Sequence, residues 1–388
     1  MNIEEAKEKL IRQFGNRVFP FSCAKEQYEK GKTSTGSILI DYMIGGGIPK
    51  GYPTTFWGAA GAGKTTAATI AAACALNNDP TRGIIYCDLD VGYSPKYQQE
   101  TSQRYIDHPL SDRATFNEAD NLWMIKTDDV DISMTQEEYE AAAISDDKRI
   151  KSKLGDMLHV FVPESGEQLL EFLISACDTE AYQMIIIDPQ DLIMPSREID
   201  RKVGAELPGL RAKFLNEFVT RMKLKIWDGN ISLIYTSQMR NKFVMMGNPA
   251  TMSGGFGFQH SMHLTLAFGT PKIQAMKYRG KDRLGQAIPI RAHKSKVSHE
   301  TLKSAKEGFN PGDYITANLI FGEGWDNEDG VVRLGTHLGV ITGQYRWIDS
   351  EGQEFKGRGK DNFIETILEN NKLDELYKQV LNTKKIDD

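Results

Sequence analysis

Residues 58–65 read Gly58-Ala59-Ala60-Gly61-Ala62-Gly63-Lys64-Thr65, set between Thr54-Thr55-Phe56-Trp57 and an alanine-rich stretch from Thr66 to Asn77. The pattern G-x-x-x-x-G-K-[ST] leaves consecutive backbone N–H groups free to cradle phosphate oxygens. Glycine is needed because the loop turns sharply and its backbone must come close to the anion. Lys64 is expected to reach the β- and γ-phosphates and the Thr65 hydroxyl to ligate Mg²⁺. Thr54 to Trp57 reads as a strand and Thr66 to Asn77 as a helix whose N-terminus faces the phosphates. With both in place, a phosphate loop is preferred over a plain glycine-rich turn. Gly58, Gly61, Gly63, Lys64, Thr65 and Thr66 are therefore candidate contacts to a nucleoside triphosphate.

The rest of the chain is compatible with such a domain. Its 388 residues allow one large domain and one or two small ones, and 40% hydrophobic with 26% charged residues is ordinary for a globular protein. No apolar run approaches the roughly 18 residues of a membrane span. Met1 to Lys7 reads as the start of a polar amphipathic helix rather than a signal peptide. Cys23, Cys74, Cys87 and Cys177 lack metal-site spacing; free thiols in a reducing cytosol are expected. A net charge of -6 neither suggests nor excludes nucleic acid, since a local basic groove suffices.

Along the chain, residues 1–32 form a separate N-terminal element: Ala6, Leu10, Ile11 and Phe14 share a helical face, and Val18 to Phe21 is extended. From about residue 33 to 324, short apolar runs alternate with helical segments. Gly83 to Cys87 and Met184 to Ile187 end in Asp88 and Asp188, and Ile231 to Thr236 is a third run. This predicts an α/β fold with a mostly parallel sheet covered by helices on both faces. Met262 to Phe268 and Ile288 to Val297 are expected as later, antiparallel strands. Residues 104–157 interrupt the pattern; 107–157 hold 13 Asp or Glu against 6 Lys or Arg. An insertion with structure of its own, including a helix over 136–143, and an acidic solvated loop remain equally good readings. Residues 325–388 suggest a small α/β C-terminal domain.

Asp188, ending an apolar strand, fits the Walker B role of holding Mg²⁺ directly or through water. Hydrolysis also needs a group that orients the attacking water. Asp88 and Asp90 both qualify, since side chains two apart share a strand face, and position alone does not choose between them. Gln238 ends a third strand, where a γ-phosphate sensor and a helix cap are equally compatible. The stretch from Arg240 to Gly255 joins basic residues, Phe243, two methionines and Gly254-Gly255 without strand or helix periodicity. Long irregular loops are usually functional, and this composition suits phosphates and stacked bases.

With these motifs assembled, the chain resembles the RecA family of homologous-recombination ATPases over nearly its whole length. The resemblance rests on Ser34-Thr-Gly-Ser37 with Gly45 to Gly51 before the P-loop strand, on Asp88-Leu-Asp90 with Ser94-Pro-Lys-Tyr97, and on Pro163 to Gln168. It continues in Gln238-Met-Arg240, Gly247-Asn-Pro249 through Ser253-Gly-Gly255, Lys294-Ser-Lys296, and Phe321 to Gly324 with Leu334-Gly335 and Gly357 to Lys360. It implies a RecA-like ATPase core and places Asp90 on the catalytic carboxylate and Tyr97, with Ser94 beside it, on the adenine-stacking position. Gln238 falls on the nucleotide sensor, and Lys294 and Lys296 on the pair that reaches a neighbouring subunit's ATP. Glu198 to Gly209 resembles the first DNA-binding loop, with Lys213 beside it. Arg240, Lys242, Phe243, Ser253, Gly254 and Gly255 belong to the second.

The implied cofactors are ATP and Mg²⁺. The implied partners are single-stranded DNA, homologous duplex DNA, further copies of the chain in a helical filament, and a loading or mediator protein, in the cytoplasm and away from membranes. The sequence departs from the family at Asp90, where Glu is usual, at Pro189, where Ser follows the Walker B Asp, and at Phe256 and His260. In addition, 91 positions separate Tyr97 from Asp188, more than that stretch usually needs. Such divergence suits a bacteriophage or mobile-element protein acting in a host cytoplasm. A helicase-type motor on the same core and a weakly hydrolysing recombination mediator are the alternatives.

Overall fold

The computed structural model describes residues 30–102, 105, 114–117, 122–125, 132–135, 157–201, 209–241, 250–296 and 314–383, with positions 5, 8, 9, 12 and 13. The helix expected near the N-terminus, Val18 to Phe21, Cys23 and the helix over 136–143 fall outside these residues or almost wholly so.

Strands β1 (Lys32–Thr33) and β2 (Ile48–Pro49) pair as a small ribbon flanking helix α1 (Ile38–Met43). The P-loop strand β3 (Pro53–Gly58) leads into α2 (Lys64–Asn78). Strand β4 (Gly83–Asp88) and α3 (Pro95–Ser102) follow. Strands β5 (Ala114–Asn117), β6 (Leu122–Ile125) and β7 (Ile132–Met134) form an antiparallel sheet of their own, so the acidic insertion carries regular structure. The core resumes with β8 (Leu158–Phe161), α4 (Gly166–Asp178), β9 (Tyr182–Asp188), a 3₁₀ turn at Gln190–Leu192, and α5 (Ser196–Ile199). Helix α6 (Leu210–Asp228) leads to the long strand β10 (Ser232–Asn241) and to β11 (Ala250–Met252). Next come α7 (Gly255–Ser261), β12 (Leu264–Phe268), β13 (Lys272–Tyr278), β14 (Lys281–Ser295), β15 (Ile315–Ile320) and β16 (Gly324–Trp325). Helix α8 (Asn327–His337), the ribbon β17 (Arg346–Ile348) and β18 (Glu354–Lys356), α9 (Lys360–Glu369) and α10 (Leu373–Thr383) complete the chain.

The large sheet runs β16-β15-β14-β12-β3-β10-β9-β4-β8, with β11 and β13 as side partners. From β12 to β8 every pairing is parallel, which requires helical crossovers and therefore helices on the faces. Met262 to Phe268 was expected to be antiparallel. Its strand β12 is antiparallel only to β14; its other edge pairs parallel with β3. It is thus the hinge between the two halves of the sheet, a non-local fact that strand composition does not encode.

Alternation explains how one sheet serves two cores. Met184 and Ile186 join Ile84, Tyr86 and Ile234 on one face, packed by α1, α2 and residues 325–380. Ile185 and Ile187 join Ile85, Cys87, Leu233 and Tyr235 on the other, under α4, α6 and α7. Fully apolar strands are the sequence signature of burial on both sides. In α2 the buried residues are mostly alanine, which lets the helix axis approach the sheet closely. Cys87 and Cys177 are buried free thiols and Cys74 is half-buried, each pushed well above the usual thiol range by burial first. Among the described residues no helix is long and apolar enough to cross a membrane.

Candidate nucleotide and DNA site

Gly58 closes β3 with φ 150°, and a Cβ there would lie 1.9 Å from the carbonyl oxygen of Phe268 in the neighbouring strand. Only glycine lets the loop leave the sheet at that point. Gly63, with φ 75°, is the left-handed residue that caps α2, so the helix begins at Lys64 with its N–H groups turned to the loop. The Lys64 ammonium donates to the carbonyls of Ala59 at 2.7 Å and Gly58 at 3.3 Å. Burial lowers its pKa, and the charges of Asp188 and Asp191 offset part of that shift. Anionic phosphate would be a further stabilising neighbour.

The Thr65 hydroxyl donates to Asp188 Oδ2 at 2.6 Å. The same oxygen accepts the Tyr86 hydroxyl at 2.5 Å, and Thr236 donates to Oδ1. A carboxylate and a hydroxyl side by side at a helix N-terminus form a hard oxygen donor set, which fits Mg²⁺ with its remaining positions filled by water and phosphate. Thr65 and Asp188 would hold the ion. Thr66 is buried in the first turn of α2.

The two acids after β4 stand in different environments. Asp88 is buried, and it accepts the backbone N–H groups of Gly92 at 3.2 Å and Tyr93 at 3.1 Å. Asp90 is exposed and accepts Gly92 N–H at 3.1 Å. Its pKa is raised by partial desolvation first, then by a hydrogen bond with Asp88 and by the charges of Asp188 and Asp88. Asp88 is thus tied into the turn, whereas the Asp90 carboxylate stays exposed. Val91, directly after Asp90, adopts φ 55°. Tyr97 is half-buried on α3 and Ser94 is exposed ahead of that helix.

Strand β10 runs from beside the P-loop to the stem of the second candidate DNA loop. In its register with β3, Gln238 lies opposite Gly58, at the mouth of the P-loop. The strand continues to Asn241, so Gln238 caps no helix. Beyond it, Met239, Arg240 and Asn241 pair antiparallel with Met252, Thr251 and Ala250. Residues 242–249, including Lys242 and Phe243, lie outside the described residues; the ribbon is their stem. Ser253 is buried beneath the stem, and Gly254 and Gly255, at φ 94° and 77°, open α7. From the first candidate DNA loop, Gly209 is the left-handed cap of α6 at φ 74°, and Lys213 is exposed one turn on.

Lys294 donates to the carbonyls of Gln259 at 2.8 Å and His260 at 3.0 Å, and Lys296 donates to His260 at 3.0 Å. Both ammonium groups thus sit on the C-terminal carbonyls of α7, the negative end of the helix. The Lys294 pKa is lowered by burial first, then by repulsion from Lys296 and Lys223. His263, facing the same lysines, is lowered to about 4, by burial first and then by Lys223 and Lys296. An anion brought here from outside would relieve this repulsion.

A family model described as the RecA N-terminal domain matches residues 142–310, a stretch that contains Asp188, Gln238, Lys294 and Lys296. Similarity to curated proteins extends further. A Protein RecA from Aquifex pyrophilus is 25% identical over 381 residues, which covers 97% of this chain and 90% of the relative. Proteins RecA from Nocardia farcinica and Bordetella avium are 25% and 24% identical and cover 89% and 94% of this chain. Over nearly its whole length the chain is thus similar to RecA proteins. Its core carries features that the sequence alone does not single out. Tyr86 looks like one more apolar strand residue, yet its hydroxyl is on the Walker B carboxylate. Thr236 does the same from β10. Gln190 and Asp191 follow Asp188-Pro189 and are buried although polar; two polar residues in a segment leaving an apolar strand were the available signal. Where the RecA pattern has its relay aromatic, His260 stands, with its ring 4.1 Å from the exposed Phe256.

Proposed function

We propose that this protein is an ATP-dependent DNA recombinase that assembles as a filament on single-stranded DNA and promotes homologous pairing and strand exchange. The observation that carries the reading is strand β10. One continuous element has Gln238 beside the P-loop and, in the next three residues, the stem of the candidate DNA loop. A change sensed at the phosphates can therefore be felt by the loop without an intermediary domain.

In this reading Gly58, Gly61, Gly63, Lys64, Thr65 and Thr66 bind the triphosphate, and Tyr97 with Ser94 borders the base. Thr65 and Asp188 would hold Mg²⁺, which would supply charge neutralisation for the phosphates. Asp90 orients the attacking water and accepts its proton, a role that needs the ionised carboxylate. Gln238 reads the γ-phosphate. Lys294 and Lys296 act on the nucleotide of an adjacent copy, leaving the α7 carbonyls for the phosphate charge. Residues 1–32 serve polymerisation, 33–324 form the ATPase core, and 325–388 form the C-terminal domain. Arg240, Lys242 and Lys213 neutralise DNA phosphates, and Phe243 separates bases. The protein works in the cytoplasm, that of a host if it is phage-encoded.

Negative-stain microscopy tests the assembly. With single-stranded DNA and a slowly hydrolysed ATP analogue, regular helical filaments are expected; rings, or particles that remain single, would count against the reading. A mediator that binds ATP without productive turnover is the second reading, favoured by the shorter Asp90 and by Pro189. It predicts filament remodelling of another recombinase and no joint molecules from this protein alone.

A further inference from the structure

The 3₁₀ turn Gln190–Leu192 begins two residues after Asp188, and its two polar side chains are buried where apolar ones would be expected. Asp191 Oδ2 accepts the backbone N–H of Gln238 at 2.8 Å, and its Oδ1 accepts the Ser253 hydroxyl. Gln190 Nε2 donates to Ser253 Oγ at 2.6 Å and to Ser237 Oγ at 3.2 Å. The Asp191 carbonyl accepts the Arg211 guanidinium, whose Nε also donates to the Ile193 carbonyl at 3.1 Å. Arg211 stands in the first turn of α6, two residues after Gly209. The turn thus holds, at once, the backbone of the nucleotide-sensing Gln238, the base of the second DNA loop at Ser253, and the helix that leaves the first.

We propose that Gln190 and Asp191 are positioning residues that couple nucleotide at the P-loop to the placement of both DNA loops. The inference rests on the recombinase reading. Its physical basis is that buried polar bonds are costly to leave unmade, so groups tied to one carboxylate move together or exchange partners as a set. Asp191 also attracts Lys64 across the site, so charge arriving at the P-loop changes the field at the same carboxylate. One acceptor remains available for a second arrangement. Gln190 Oε1 is buried without a hydrogen-bond partner and lies 3.3 Å from where a Cβ of Gly254 would be. A backbone N–H of the Gly254-Gly255 segment that swings onto it would satisfy it in the DNA-bound state. Position 254 favours glycine because its φ is 94° and a Cβ there would lie 2.8 Å from the Phe258 ring.

The test measures coupling rather than activity. Fluorescence anisotropy of a labelled oligo-dT gives the ratio of single-stranded DNA affinities with ATPγS and with ADP, for the parent, Asp191→Asn and Gln190→Leu. Asp191→Asn keeps the shape but presents an N–H₂ to one of two donors; Gln190→Leu removes both serine bonds. The parent ratio should lie in the usual allosteric range of about 5- to 150-fold. Both variants should bring it below about threefold while they remain folded, Asp191→Asn melting several degrees lower for its lost buried bond, and while the DNA-free affinity for fluorescent nucleotide stays close to the parent's. By reciprocity, the effect of DNA on nucleotide affinity should fall by the same factor. Parent-like ratios in both folded variants overturn the proposal and leave the recombinase reading standing. A parent that binds DNA equally with either nucleotide overturns that reading and the coupling with it.

Discussion

Replacing Asp90 by Asn separates chemistry from architecture more cleanly than any other substitution in the site. The side chain is exposed, and the bond that it makes, to Gly92 N–H at 3.1 Å, can be kept by the Asn carbonyl oxygen. Folding should therefore change by less than about 0.5 kcal/mol, the usual limit for surface positions. Turnover should fall by roughly 10²–10⁴, the contribution of a positioned general base. The counterpart, Asp88→Asn, should behave in the opposite way. It puts an N–H₂ against one of two backbone donors in a buried setting, where a hydrogen bond to a charged group contributes about 1.5–3 kcal/mol. That variant should melt several degrees lower and lose activity only as it loses structure. The pH profile supplies an independent reading. Because the Asp90 pKa is raised, the carboxyl gains its proton more readily in the folded state, so the acid limb of kcat should lie above the ordinary aspartate value of 3.8. The stability sign follows: between 3.8 and the raised value the folded chain binds more protons, so Asp90 costs stability as pH rises through that window. The assay is steady-state DNA-stimulated phosphate release with thermal melts on the same samples. Parent-like turnover in Asp90→Asn, with an inactive but fully stable Asp88→Asn, would refute the reasoning.

Other expectations follow from the same geometry. Lys64→Ala should abolish hydrolysis and nucleotide-induced assembly while preserving the melting temperature without nucleotide, because it removes a cation whose burial is already unfavourable; normal phosphate release would remove the assigned site. Lys294→Ala or Lys296→Ala should lower ATPase only in the DNA-bound assembly, and mixing either with Lys64→Ala protein should partly restore it, because one interface can then combine an intact P-loop with intact lysines; no restoration at any ratio would place the lysines' action within their own subunit or away from ATP. Arg240→Ala should weaken single-stranded DNA binding and reduce the salt slope by about one unit, whereas Phe243→Ala should spare phosphate-driven binding and impair pairing; titrations across salt concentration with a pairing assay check both.

What was readable from the sequence was local. The P-loop, the acid after each apolar strand and the two-sided sheet are encoded in contiguous residues whose spacing fixes their geometry. Thr65 and Asp188 are 2.6 Å apart because strand order sets β9 one strand beyond β10 from the P-loop strand, and that order was implied by the resemblance rather than by composition. Strand position alone does not separate Asp88 from Asp90, and only the resemblance favours Asp90; their different surroundings are a matter of structure. They depend on which carboxylate the backbone of Gly92 and Tyr93 turns back to meet. The antiparallel expectation for β12 holds toward β14 and fails toward β3, because a strand with different neighbours on its two edges has no distinguishing pattern. Gln190 and Asp191 escaped notice for a related reason: a buried polar group is identified by its partners, and here these come from Ser237, Gln238 and Ser253, some fifty or sixty residues away.

The central claim is that ATP use drives exchange between homologous DNA molecules. Incubating the protein with circular single strands, homologous linear duplex, ATP and Mg²⁺, and resolving the products on an agarose gel, tests it most directly. The account predicts joint molecules that depend on ATP, on homology and on an intact Lys64. Single-strand-dependent ATP hydrolysis with no joint molecules, or strand separation that ignores homology, would contradict it.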